Sequence, residues 1–194
     1  MNKSSYTVLA ISQHSFTFKE SQVMALNLSS RNSLFNSFSV ICGTICSIFF
    51  VGSMIISGSP FEMIHKFNVG NILPPMWLWG FLTFIWGFLV GYAAGLIIFE
   101  SVSHKAHSER EVCAYKGGLF FLASLFFFIL HYPLFFVGEK LFIALLSVLV
   151  AAACACICAF FWSRIAAFAT VIMASYAFWL FYVVFVTLSI IVQN

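Results

Sequence analysis

Apolar residues run through the chain in five long blocks, about Phe38–Ser57, Met76–Phe99, Gly117–Val137, Leu141–Trp162 and Ile165–Val192. At 1.5 Å per helical residue, about 20 residues cross the roughly 30 Å hydrocarbon core of a bilayer. Every block reaches that length, and the last exceeds it, so it is expected to tilt or to emerge from the bilayer. None alternates polar and apolar positions as the strands of a membrane barrel do. Backbone groups in lipid must bond within their own segment, so each block is predicted to be a helix. The expected fold is an all-α integral membrane protein, a five-transmembrane-helix bundle spanning residues 36–194.

The breaks between blocks set the topology. Glu139-Lys140 and Ser163-Arg164 are so short that the helices they join must be antiparallel neighbours. The first connection, Gly58 to Pro75, is longer and holds Pro60, Pro74 and Pro75. The second, "ESVSHKAHSEREVCAYK" from Glu100 to Lys116, is the most polar part of the chain and is expected to be a solvated loop. Residues 1–35 are rich in Ser and Asn and read as a loosely ordered polar tail; no apolar stretch follows Met1, so a secretory signal peptide is not expected. Lys3, Lys19, Arg31, Lys105, Arg110, Lys116 and Arg164 fall on one side of this topology, against Lys66 and Lys140 on the other. The excess puts the N-terminus in the cytoplasm if the membrane is the plasma membrane.

Composition agrees with the block pattern. The chain is 62% hydrophobic and 8% charged, where a soluble domain carries about 25% charged residues. Its +3 formal charge includes no basic block, so no nucleic-acid partner is expected; the lipid bilayer is the first partner.

Candidate chemistry is sparse. The sequence has no Asp, its Glu residues lie outside the apolar spans, and no nucleophile–His–acid set or phosphate-binding Gly loop is present, so no catalytic residue is assigned. The cysteines of "ACACICA" catch the eye, but at 100° per residue Cys154 and Cys158 share a face while Cys156 points away. They read as small packing residues, and no metal site is assigned. His104, His107 and Cys113 lack the paired spacing of a structural zinc site. His131 lies inside an apolar run, two residues before Pro133, and Pro133 has no N–H for the carbonyl at 129. Its imidazole either bonds a backbone carbonyl or Tyr132, or points into a cavity. Helical spacing puts Tyr176, Trp179 and Val183 on one face. The aromatic set Phe126–Phe128, Tyr132, Phe135, Phe136, Tyr176, Phe178 and Trp179 suits either lipid and core packing or the walls of a flat apolar pocket.

Several short motifs at consistent spacing resemble the translocator protein / tryptophan-rich sensory protein (TspO/MBR) family. Pro74, Pro75 and Trp77 in "NILPPMWLWG" fit the family's Pro-Pro-x-Trp helix opening, with Gly91, Ala93 and Ala94 further along. "FVGS" at Phe50–Ser53 stands upstream, and "HYPLFF" is similar to Trp-x-Pro-Leu-Phe-Phe. Ala144, Leu145, Trp162 and Ala166-Ala167 follow, and "SYAFW" resembles Pro-Tyr-x-x-Trp through Tyr176 and Trp179. The departures are as informative. Ser124 and Phe128 stand where the family carries Gln and Asn, His131 where it has Trp, and Ser147 where it has Asp. Ser175 replaces a Pro and Thr187 an Asn, and no Lys or Arg follows Arg164 to complete the C-terminal sterol consensus.

The resemblance implies a membrane protein that binds, and transports or senses, a hydrophobic ligand such as a porphyrin, haem or sterol. A bound porphyrin or haem is the one cofactor it suggests, and none is required. Its implied ligand-binding residues are Ser53, Trp77, Trp79, His131, Leu134, Tyr176, Trp179 and Val183, with Trp77 and Trp79 either capping the pocket or anchoring the interface. If His131 is an axial ligand to haem iron, His131→Phe should alter the haem or porphyrin spectrum. The resemblance further implies a homodimer, for which "AAACACICA" offers a close-packing surface. It implies the mitochondrial outer membrane in a eukaryote and the cell membrane in a bacterium. Two alternatives stand beside it, a structural membrane subunit that has lost the pocket and a porphyrin-degrading enzyme.

Overall fold

The computed structural model describes residues 36–57, 76–103, 108–138 and 140–193. The polar tail, the first connection with Pro74 and Pro75, and the His104–His107 pair lie outside them. Five helices are described: α1, Asn36–Ile56; α2, Met76–Ser103; α3, Ser108–Phe136; α4, Leu141–Trp162; and α5, Ala167–Gln193. All are long and apolar enough to span a membrane, and no strand occurs among the described residues. The described residues from Ser39 onward form one compact unit.

One expectation fails. The second connection is not a loop from Glu100 to Lys116: α2 continues to Ser103 and α3 already begins at Ser108. Residues 100–103 and 108–116 are polar yet helical, so their polarity does not mark a break in the backbone. Glu109 and Glu111 sit in the first turn of α3, where acidic side chains complement the unpaired amides and the helix dipole.

The described residues at the short links pair their backbone groups in tight reversals. The Pro133 carbonyl accepts from the amides of both Val137 and Gly138, and the Lys140 amide donates to the Leu134 carbonyl. At the other end, the amides of Ile165 and Ala166 both donate to the Trp162 carbonyl. The Arg164 guanidinium lies 5.3 Å from the centre of the Phe160 ring, a cation–π contact at the edge of the span.

Lipid tails are as apolar as leucine, so burial alone does not drive membrane helices together; close backbone approach and interhelical hydrogen bonds do. Helix α2 carries Gly87, Gly91 and Gly95 at four-residue spacing, all facing α1. A methyl added at Gly91 would stand 2.5 Å from the Cys42 carbonyl oxygen and 2.8 Å from Cys46 Cβ. One at Gly87 would stand 2.8 Å from Ser47 Cα, and one at Gly95 2.7 Å from Ser39 Cα. Gly43 reciprocates from α1, 2.8 Å from the Phe88 carbonyl by the same measure. The Ser47 hydroxyl, buried in this seam, donates to the Phe84 carbonyl across it at 3.0 Å.

Helix α4 uses the same device. Ala144, Ser147, Val148, Ala151, Ala152, Ala155, Cys158 and Ala159 form its buried stripe, closed by Trp162. Most of the small residues of "AAACACICA" are therefore spent inside the protomer. Cys158 is fully buried, Cys154 half-buried and Cys156 exposed. Of that run, the outward surface left for a second copy is Ala153, Cys156 and Ile157.

These contacts set a direct test. Gly91→Ala should destabilise the bundle by about 1–3 kcal/mol, the usual cost of overpacking, seen as a lower melting temperature in detergent. Gly52, where an added methyl meets nothing within 4 Å, is the control. Gly52→Ala should leave the melting temperature unchanged or raise it, because alanine favours a helix over glycine. Equal effects at the two positions would refute the close-approach account of α1 against α2.

Candidate functional site

The chain direction brings the C-terminal ends of α1, α3 and α5 and the N-terminal ends of α2 and α4 to the same face of the membrane. Most of the expected ligand-binding residues gather there. Trp79 of α2 packs against Trp179 of α5 with ring centres 5.3 Å apart, and Tyr182 lies 5.4 Å from Trp179. One layer deeper, Tyr176 lies 6.1 Å from both Trp86 and Phe128, while Phe50 of α1 lies 5.0 Å from Phe128. Val183 is buried in the same cluster. Rings at these separations attract through their quadrupoles beyond simple burial.

Polar groups in this aromatic layer are few, and all are hydroxyls or indole N–H groups. The Thr83 hydroxyl donates to the Trp79 carbonyl at 2.9 Å. Its single hydrogen is thereby used, so the Tyr132 hydroxyl 3.2 Å away is the donor in their contact. The indole N–H of Trp79, the indole N–H of Trp179 and the Tyr176 hydroxyl are buried and find no hydrogen-bond partner. Trp79 lies close enough to the Tyr132 hydroxyl, and Tyr176 to Ser124, to interact electrostatically, but without hydrogen-bond geometry. Leaving a buried donor unpaired costs about 1–3 kcal/mol.

Ser53 and Leu134 occupy a neighbouring feature. With Ser57, Ile129 and Pro133 they line a cleft of about 550 Å³ between the ends of α1 and α3, within the range of small-molecule sites. The Ser53 hydroxyl donates to the Phe50 carbonyl at 2.8 Å and the Ser57 hydroxyl to the Ser53 carbonyl at 2.6 Å. Because Pro133 has no N–H, the Ile129 carbonyl in the cleft wall lacks its usual helical donor.

His131 and Trp77 are not brought to this set. Trp77 is 73% exposed on the outer surface, the position of an interfacial anchor. His131 is 3% exposed but faces α4, where its Nδ1 lies 3.1 Å from the Ala144 carbonyl. A carbonyl only accepts, so Nδ1 carries the proton. The same helix pair is joined by the Ser124 hydroxyl donating to the Ala151 carbonyl at 2.9 Å and the Ser147 hydroxyl donating to the Phe127 carbonyl at 2.7 Å. Three rungs thus stitch antiparallel α3 and α4 in one register. They occupy positions where the family resemblance marked departures, so those substituted residues serve helix packing. Of the other rings in the expected aromatic set, Phe126 and Phe178 face outward, while Tyr132 and Phe135 are buried.

Sequence reading missed Thr83, Trp86, Phe50 and Tyr182 as parts of the aromatic layer. Thr83 carried a signal, a lone hydroxyl one turn after Trp79 in an apolar helix; the other three are indistinguishable in sequence from lipid-facing aromatics.

An antiparallel five-helix membrane bundle, sealed by glycine and alanine seams and lined at one end by tryptophan and tyrosine, defines the class of protein. The TspO/MBR family model matches residues 38–193, and the chain belongs to that family. No curated protein matches it.

The α3–α4 rungs predict the behaviour of His131. His131→Phe should lower stability by about 1 kcal/mol, as expected for one interhelical hydrogen bond in a membrane protein, and should leave the spectrum of added haem or porphyrin unchanged. A shifted spectrum with unchanged stability would place His131 at the ligand instead.

Proposed function

We propose that this family member binds a planar or polycyclic hydrophobic ligand, a porphyrin, haem or sterol, at the aromatic end of the bundle, and that binding serves its transport or sensing. The observation that carries this reading is the group of buried, unpartnered donors, the Trp79 and Trp179 indoles and the Tyr176 hydroxyl. Indole N–H groups only donate, so the ligand that relieves them brings acceptors such as carboxylate or carbonyl oxygens. The aromatic faces would cover its plane. Ser53 and Leu134 in the adjoining cleft extend the contact surface along α1 and α3. No turnover is part of this reading, and the membrane concerned would be the mitochondrial outer membrane in a eukaryote or the cell membrane in a bacterium.

A specific observation favours the second reading, a structural subunit without a ligand. Phe50, Phe128, Tyr132 and Tyr176 already bury one another almost completely, so a ligand must displace rings before it enters.

Titration of the purified protein with protoporphyrin separates these readings. Ligand binding predicts saturable tryptophan quenching. By porphyrin absorbance, Trp79→Phe and Trp179→Phe should each weaken affinity about 3- to 10-fold, the effect of one lost hydrogen bond, while Trp77→Phe should not. Quenching that never saturates supports the structural subunit, and a chemically altered porphyrin after illumination supports an enzyme.

A further inference from the structure

A second cleft, of about 450 Å³, opens at the opposite end of the bundle between the C-terminal end of α2 and the N-terminal end of α3. Its chemistry is graded along the helix axes. Ala94, Ile97 and Phe121 with the buried Trp162 form the deep end, and Ser101, Glu111 and Tyr115 form the end nearest the water. From Ala94 to Ser101 the wall rises roughly 10 Å at 1.5 Å per residue, the length of a medium alkyl chain. Gly118 also lines the cleft, and a methyl added there would meet nothing within 4 Å. Gly117 beside it packs directly on Trp162, so the open space lies on the Gly118 side of α3 alone.

We propose that this cleft binds a single-chain amphiphile with a cationic, hydrogen-bond-donating head, an alkylammonium group. The apolar end takes the chain along Ile97, Phe121 and Trp162. Among the described residues Glu111 is the one charged side chain in the lining, and its carboxylate accepts from the ammonium in a charge-assisted hydrogen bond. The Tyr115 hydroxyl adds a second acceptor. An anionic head would meet the Glu111 carboxylate and be repelled, so the cleft selects by charge. The site is separate from the aromatic end and uses different residues, so it stands whether or not a porphyrin or sterol binds there.

Trp162 supplies a built-in reporter. The full-length protein in neutral detergent is titrated with a terminally brominated alkylamine and, separately, with a brominated carboxylic acid of the same length; bromine quenches tryptophan on contact. The amine should quench saturably and the acid should not. Trp162→Phe should remove most of the saturable component. Glu111→Gln, a change at an exposed residue, should weaken the amine at least about fivefold. Gly118→Leu should fill the cleft and abolish saturable quenching, with melting temperatures of both variants unchanged. Equal quenching by amine and acid, or an amine affinity indifferent to Glu111→Gln and Gly118→Leu, would overturn the proposal.

Discussion

The architecture depends on how closely α2 can approach α1. In a bilayer the helices gain nothing by hiding apolar surface from water, so their association rests on dispersion between atoms in contact and on hydrogen bonds shared between backbones. Gly87, Gly91 and Gly95 remove the side chains that would hold the two backbones apart, and the α1 backbone around Ser39, Cys42 and Ser47 fills the space. This approach also brings Phe50 within reach of Phe128 and Tyr176, so the aromatic layer is assembled on the glycine seam.

On the other side, α3 and α4 are joined by a different kind of contact. Ser124, His131 and Ser147 each bond a carbonyl of the facing helix. Each carbonyl has a second lone pair left after its own helical bond, so these rungs add interactions without breaking the helix. Together with the small-residue stripe of α4, they give the α3–α4 pair a fixed register. The two ends of the bundle then differ in character. One is closed by interlocking rings, and the other is left open above Trp162, whose indole N–H is likewise unpaired.

The positions at which the chain departs from its family acquire a physical meaning here. A Trp, a Gln and an Asp exchanged for His131, Ser124 and Ser147 look in sequence like the loss of ligand-binding groups. In the fold all three side chains bond across one helix pair. Tyr176 and Trp179, which match the family's aromatic positions, stay buried beside Trp79, while Trp77, which matches the helix opening, is turned outward.

Five spans, their antiparallel order at the short links, and the facing of Cys154 and Cys158 away from Cys156 were legible in the sequence, because these follow from chain length, helical period and the demand that backbone groups in lipid be paired. The sequence also placed Tyr176, Trp179 and Val183 on one face. It misjudged residues 100–103 and 108–116, since polarity does not report backbone conformation. Which aromatic rings turn inward, which partner His131 takes and which glycines are pressed against a neighbour were decided only by the tertiary structure. Membrane helices are apolar on every side, so their inward face carries no pattern of hydrophobicity. That face is set by which small residues allow backbones to meet, and this requires both helices at once.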